Sequence, residues 1–268
     1  MASADKRNPI EIIPLLSVRD VSVNFGGILA LNGVSFDVPR GVIFGLIGPN
    51  GAGKTTLFNC LSRIYSYQAG DILLEGQSIT RLPAHNMPGM GMARTFQNLA
   101  IFGSMSVIDN ITIGAHCRSK AGFIASALRL PRVSSDERNV REHAEELVRY
   151  LDLEAVREKK AGDLPFGTQK RVELGRALAA EPTLILLDEP AAGLNHEEVI
   201  ELAGIIRDMR TRLRVTIILV EHHMGLVMAV SDRVAALSFG KVIAEGIPAD
   251  IQNNDAVIDA YLGTKSHE

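Results

Sequence analysis

Gly48-Pro49-Asn50-Gly51-Ala52-Gly53-Lys54-Thr55-Thr56 is the stretch on which the rest of the chain turns. A glycine, four residues, then Gly-Lys-Thr satisfies the pattern of a phosphate-binding loop. Just before it, Gly41 to Ile47 is a short apolar run of buried-strand type; just after it, Leu57, Phe58, Leu61 and Ile64 recur at helical spacing. The context is strand, loop, helix. Glycines leave backbone amides free to converge on phosphate oxygens, and the helix that follows points its partly positive N-terminus the same way. Lys54 suits neutralisation of the outer phosphates and the Thr55 hydroxyl suits a magnesium ion, with Thr56 one step further along the helix.

Working outward, Leu15 to Asn24 alternates like a half-buried strand, and Gly33 to Pro39 reads as a second strand closing on a proline turn. Together they predict an antiparallel layer. Phe25, before Gly26-Gly27, is either a turn aromatic or a ring left exposed. Gly70 to Gly76 is a strand between glycines, Ile79 to Met92 a connector broken by proline and glycine, and Ala93-Arg94-Thr95-Phe96-Gln97-Asn98 follows.

Between Phe102 and Gly162 the texture becomes helical. Val140, Ala144, Leu147, Val148 and Leu151 share one face opposite Glu137, Arg138, Arg141, Glu142, Glu145 and Glu146, which predicts an amphipathic helix with a solvated charged face. Arg118 to Arg132 is basic and partly apolar, readable as a short packed helix or as a docking surface.

Leu164-Pro165-Phe166-Gly167-Thr168-Gln169 opens another helix, whose N-terminus is offered to anions. Thr183 to Leu187 has the length of a buried parallel strand and ends in Asp188-Glu189-Pro190. Two carboxylates at a strand's carboxyl end, in a chain with a phosphate loop, are where nucleotide chemistry is expected. A helix with Val199, Leu202, Ala203, Ile206 and Met209 on one face comes next, then a strand from Arg214 to Val220 ending in Glu221-His222-His223. Neighbouring strand residues point to opposite faces, so one working histidine is expected rather than a pair on a metal. A hairpin around Phe239-Gly240 and a helical piece from Ala249 to Leu262 close the chain.

The 268 residues accommodate one large core with a smaller subdomain but no tandem second copy. A net charge of -3 and a pI near 6.2 argue against a general nucleic-acid binder. Cys60 and Cys117 are too few for a disulfide framework or zinc ribbon, which suits a reducing cytosol. No run approaches the roughly 18 apolar residues of a membrane span, so a membrane role would be exercised through partners.

The order phosphate loop, Gln97, Leu164 to Gln169, Leu184 to Glu189, Asn195 and His222 resembles the ATP-binding cassette of ABC transporters over nearly the whole chain. Ala93 to Asn98, Pro190-Ala191-Ala192-Gly193-Leu194-Asn195 and the ending from Ile251-Gln252-Asn253-Asn254 to Tyr261-Leu262-Gly263 are similar to ATPase subunits of branched-chain amino acid importers, the LivG type. The resemblance implies an α/β fold: a P-loop NTPase core with an antiparallel β subdomain (residues 15–96 and 163–250), an inserted α-helical subdomain (97–162), a flexible tail (1–14), and a C-terminal helix and tail (251–268). It makes Phe25 the platform for adenine and Gly48 to Thr56 the phosphate cradle. Gln97 becomes a magnesium and water ligand that senses the membrane partner, Asp188 the outer magnesium carboxylate, Glu189 the residue that orients and deprotonates water, and His222 the contact to the terminal phosphate.

This chain departs from the family in two places. The usual Leu-Ser-Gly-Gly-Gln signature is Leu164-Pro165-Phe166-Gly167-Thr168 here, and Asn195 replaces an aspartate at the loop where two cassettes meet. The serine hydroxyl and the glutamine of that signature are absent, so contacts of Phe166, Gly167 and Thr168 with ATP would rest on the backbone of the helix N-terminus. The resemblance further implies ATP and Mg2+ as cofactors, a second cassette of the same or a related chain, two integral membrane permease subunits, an external binding protein reached indirectly, no nucleic acid, and a peripheral place on the cytoplasmic face of the cell membrane. Alternatives are a cassette for urea import or lipopolysaccharide export, or a regulatory nucleotide binder that does not hydrolyse.

Overall fold

A computed structural model describes residues 13–95, 99–115 and 131–262, with the backbone alone at 131–137. Two sheets organise it. The first is antiparallel in the order β2-β1-β4-β5, from β1 (Leu16–Phe25), β2 (Ile28–Val38), β4 (Ala69–Leu74) and β5 (Gln77–Ser78). The second runs β10-β9-β3-β8-β7-β6. Its strands β3 (Ile43–Ile47), β6 (Met92–Arg94), β7 (Leu184–Asp188), β8 (Thr216–Val220) and β9 (Arg233–Ser238) are parallel, and β10 (Lys241–Gly246) pairs antiparallel with β9.

The continuous apolar runs at β3, β7 and β8 have a simple cause: both faces of this sheet are covered. Ile43, Ile47, Ile185, Leu187, Ile217 and Leu219 face one core, shared with the helices α2 (Val107–Gly114), α3 (Pro131–Tyr150), α4 (Phe166–Leu178) and α5 (His196–Thr211). The alternate residues Phe44, Leu46, Leu184, Leu186, Ile218 and Val220 face a second core, shared with α1 (Lys54–Leu61) and the antiparallel sheet. Phe36 of β2 stacks on Phe44 of β3 at 5.3 Å between centroids, joining the two sheets. Each fully buried Leu, Ile or Phe stabilises this arrangement by about 1.5–3 kcal/mol.

Three sequence expectations shift. Strand β2 begins at Ile28 rather than Gly33, because Gly26 and Gly27 (φ 56° and 93°) form a two-residue hairpin turn whose twist matches the strands it joins. Helix α1 stops at Leu61, so Ile64 is not on its buried face but half-exposed: the Ser62 hydroxyl donates to Phe58 O at 2.8 Å and Arg63 turns left-handed at φ 60°. The C-terminal piece is two helices, α7 (Pro248–Gln252) and α8 (Asp255–Leu262). They divide at Asn253-Asn254, where the Asn254 side chain accepts from the Val257 amide at 3.3 Å and starts a new helix. The connector before β6 contains two short 3-10 turns, Ala84–Asn86 and Pro88–Met90.

The predicted amphipathic helix is α3, with Ala144, Leu147 and Val148 buried and Arg138, Arg141, Glu142 and Glu146 exposed. Gln97 and its neighbours 96 and 98 lie outside the described residues, as does the basic segment from Arg118 as far as 130.

Candidate functional site

The site is assembled by sheet register. Leu46 of β3, Val220 of β8 and Asp188 of β7 sit in one row across three adjacent parallel strands. Each chain then leaves the sheet at its carboxyl end: Gly48 follows two residues after Leu46, Glu189 one after Asp188, and His222 two after Val220. Strands lie about 4.8 Å apart, so three segments remote in sequence emerge side by side.

The phosphate loop closes on its own lysine. Lys54 Nζ donates to Gly48 O at 2.6 Å and Pro49 O at 3.0 Å. Burial pushes its pKa below the ordinary lysine value, and the charge of Glu189 opposes that shift. The amides of Gly51, Gly53, Lys54 and Thr55 bond to no other protein group among the described residues, and are the donors phosphate oxygens require. Asn50 and Thr55 are exposed, Pro49 and Thr56 half-buried, and Ala52 buried. Gly53 backs onto Ala30 and Leu31 of β2.

Gly48 is dictated by space. At φ 150° its backbone passes so close to β9 that an added Cβ would sit 2.2 Å from Leu237 O. Gly48→Ala is expected to force the loop off β9, costing on the order of 2–3 kcal/mol in a denaturant titration and weakening nucleotide binding at least tenfold.

Asp188 is 3% exposed and paired with Arg94 at 2.7 Å, while its amide donates to Thr95 Oγ1 at 3.3 Å. Arg94 is a site residue that the sequence did not single out. Its guanidinium also donates to Asn59 Oδ1 (2.8 Å) and Ser62 Oγ (2.6 Å), so it ties the end of α1 to Asp188. An arginine closing the short run Met92-Ala93-Arg94 just before Gln97 was the available signal.

Glu189 has a left-handed backbone, φ 46°, which a side chain adopts only when its surroundings hold it there. Its Oε1 lies 3.7 Å from His222 Nδ1, and His222 is mostly exposed. His223 plays a different part: its Nδ1 accepts from the Leu226 amide at 3.2 Å and caps helix α6 (Met224–Val230).

Glu221 is the second residue missed from sequence. At 1% exposure, its carboxylate accepts from the amides of Ala191 (2.7 Å), His222 (3.1 Å) and His223 (3.2 Å). It thereby fastens the turn after Glu189 to the turn carrying His222. A buried acid at the end of an apolar strand was legible; its three backbone partners were not.

Phe25 is 46% exposed at the β1–β2 hairpin, edge-on to Tyr65 at 5.5 Å. Helix α4 starts after Pro165 with no side-chain cap, so the amides of Phe166, Gly167 and Thr168 face outward at its positive end. Phe166 lies against Gly193 and under the Lys170 ammonium at 5.5 Å. Asn195 and Glu198 cap α5 reciprocally, and the Glu198 carboxylate lies against Gly167. The altered signature and the loop before α5 form one surface.

Among the described residues no three His, Cys, Asp or Glu side chains converge on a metal site. The Thr55 hydroxyl and Asp188 carboxylate are hard oxygen donors, and Mg2+ is held by such a set together with substrate phosphates.

A phosphate loop, carboxylates and a histidine on neighbouring strand ends, with an antiparallel sheet on one side and helices on the other, define an ATP-binding cassette. The family model described as ABC transporter matches residues 31–192, and the chain belongs to that family. A second model, the branched-chain amino acid ATP-binding cassette transporter, matches residues 241–267. Over 250 residues, covering 93% of this chain and 98% of each relative, it is 39% identical to the high-affinity branched-chain amino acid transport ATP-binding protein BraF of Pseudomonas aeruginosa. It is 40% identical over the same span to its counterpart LivG of Escherichia coli K12. The ADP conformation of MJ1267, an ATP-binding cassette of an ABC transporter, superposes with a TM-score of 0.79 at 29% identity, covering 93% of this chain and 98% of that one.

Proposed function

We propose that this chain is the ATP-hydrolysing subunit of an importer of branched-chain or related amino acids. The observation that carries the reading is the row of strand ends that sets Gly48 to Thr56 beside Glu189 and His222. The C-terminal match and the named relatives support the substrate class.

In this reading the phosphate-loop amides and Lys54 hold the phosphates, and Phe25 stacks on adenine. Thr55 and Asp188 would hold Mg2+, with Gln97 as a further ligand; the ion supplies charge neutralisation at the phosphates. Glu189 takes a proton from water as its oxygen attacks the terminal phosphorus. The bond to ADP breaks and ADP leaves with the electron pair. His222 donates toward the terminal phosphate. Phosphoryl transfer needs positioning and charge stabilisation above all, so half a site is slow. A second cassette completes it by presenting its own Phe166 to Thr168 amides, and closure and reopening of the pair move two permease subunits. In this reading the chain works at the cytoplasmic face of the membrane through those subunits, and no helix among the described residues is long and apolar enough to cross a membrane. Phosphate release by the chain reconstituted with its permeases tests the whole reading; ATP binding with no release under transport conditions would leave a regulatory nucleotide binder.

The permease is received in a groove of about 330 Å³ between β6, α2 and α4, lined by Met87, Met92, Arg94, Ile113, Glu173 and Arg176. It starts beside Arg94, three residues from Gln97, so a docked loop would be coupled through Arg94 to Asp188. A cysteine at Ile113 is expected to crosslink to a cytoplasmic loop of the permease. Crosslinks confined to other cassettes would count against this docking.

A further inference from the structure

Helix α8 reaches back to the phosphate loop. The Gly48 amide, buried at the loop's first residue, donates to the Tyr261 hydroxyl at 2.7 Å. The other side of the same residue, Gly48 O, accepts from Lys54. The entry of the loop is thus held from two directions, once from within and once from 213 residues away in sequence.

The attachment of α8 is slight. Val257 is its one buried side chain among the described residues, and Leu262 is largely exposed. Beneath it lies an apolar cavity of about 290 Å³ bordered by Ile47, Met224, Met228, Val257, Ile258 and Tyr261. Ile47 precedes Gly48, and Met224 and Met228 belong to the helix that follows His222. One weakly packed helix therefore bonds to the entry of the phosphate loop and faces, across this cavity, the helix that follows His222. Segments with little buried apolar surface open at low free-energy cost, and a single hydrogen bond then weighs heavily in holding them.

We infer that Tyr261 is a positioning residue: its hydroxyl clasps the phosphate loop through the Gly48 amide and pre-sets the loop for nucleotide, so that release of α8 lowers ATP affinity. The inference rests on the nucleotide site proposed above. It gives the C-terminal segment, which carries its own family match at residues 241–267, a task at the ATP site. Without the hydroxyl the buried amide has no partner, the loop samples other conformations, and binding must first restore the right one.

The test uses the full chain with Tyr261→Phe, which keeps the ring and removes only the oxygen. Equilibrium ATP binding, steady-state hydrolysis in the assembled transporter and exchange of the Gly48 amide with solvent are measured. A net hydrogen bond converts to an expected rise of about 3- to 10-fold in both the dissociation constant and KM, with kcat at saturation changed less than about twofold. Gly48 exchange should quicken by a similar factor, and Asp259→Ala, on the exposed side of α8, should leave all three as in the unaltered chain. Unchanged affinity and exchange would overturn the clasp, as would a lowered melting temperature with affinity intact, or an equal loss in Asp259→Ala. If the unaltered chain fails to bind ATP, it is the nucleotide reading that falls, and Gly48 exchange still decides whether the clasp exists.

Discussion

Glu189→Gln is expected to keep ATP bound and to lose turnover by about 10²- to 10⁴-fold, the usual contribution of a positioned general base. The amide has the size of the carboxylate and keeps the same left-handed position at the end of β7, but it cannot take a proton from water. Removing a negative charge from the neighbourhood of Lys54 also lessens repulsion toward a triphosphate. Affinity should therefore hold or rise while kcat collapses. Measured as phosphate release in the reconstituted complex alongside equilibrium ATP binding, turnover at the unaltered rate would remove Glu189 from the mechanism. Equal loss of binding and turnover would make it a structural residue.

The second large effect is at Glu221. Its carboxylate accepts three backbone amides: Oε1 takes Ala191, and Oε2 takes His222 and His223. Glu221→Ala leaves three buried donors without their charged acceptor, a cost of on the order of 3–5 kcal/mol, visible as an earlier midpoint in denaturant. Glu221→Gln is the sharper variant. One carbonyl oxygen can serve either Ala191 or the two histidine amides, and the NH₂ group then faces a donor on the other side. Because Ala191 lies two residues after Glu189, and His222 is one of the unfastened groups, the variant should lose about 10- to 100-fold in kcat with ATP affinity nearly preserved. An unfolding midpoint and a kcat equal to those of the unaltered chain would show that the two turns hold their places without it.

Much of this site was legible because its chemistry is carried by residue order. The phosphate-loop pattern needs fixed spacing, and the apolar runs ending in Asp188-Glu189 and Glu221-His222 announce strands whose carboxyl ends carry polar groups. Where the reading slipped, a local device decided the outcome. Two glycines made a hairpin and lengthened β2, the Ser62 hydroxyl and a left-handed Arg63 ended α1 before Ile64, and the Asn254 cap split the C-terminal helix. Arg94 and Glu221 escaped because a charge held inside the fold has meaning only through its partners, and these are distant in sequence: Asp188 lies 94 residues from Arg94, and the Ala191 amide 30 from Glu221.

By itself the sequence determined the covered parallel sheet, the phosphate loop that follows β3, and the family resemblance that comes with their order. Periodicity and spacing are properties of neighbouring residues, so a linear reading reaches them. Only the tertiary structure decided that Leu46, Val220 and Asp188 share one row, that Arg94 and Glu221 tie the site's segments together, and that Tyr261 rests on Gly48. Such contacts are set by register and by the close approach of backbones, which depend on how the whole core packs rather than on any local run of residues.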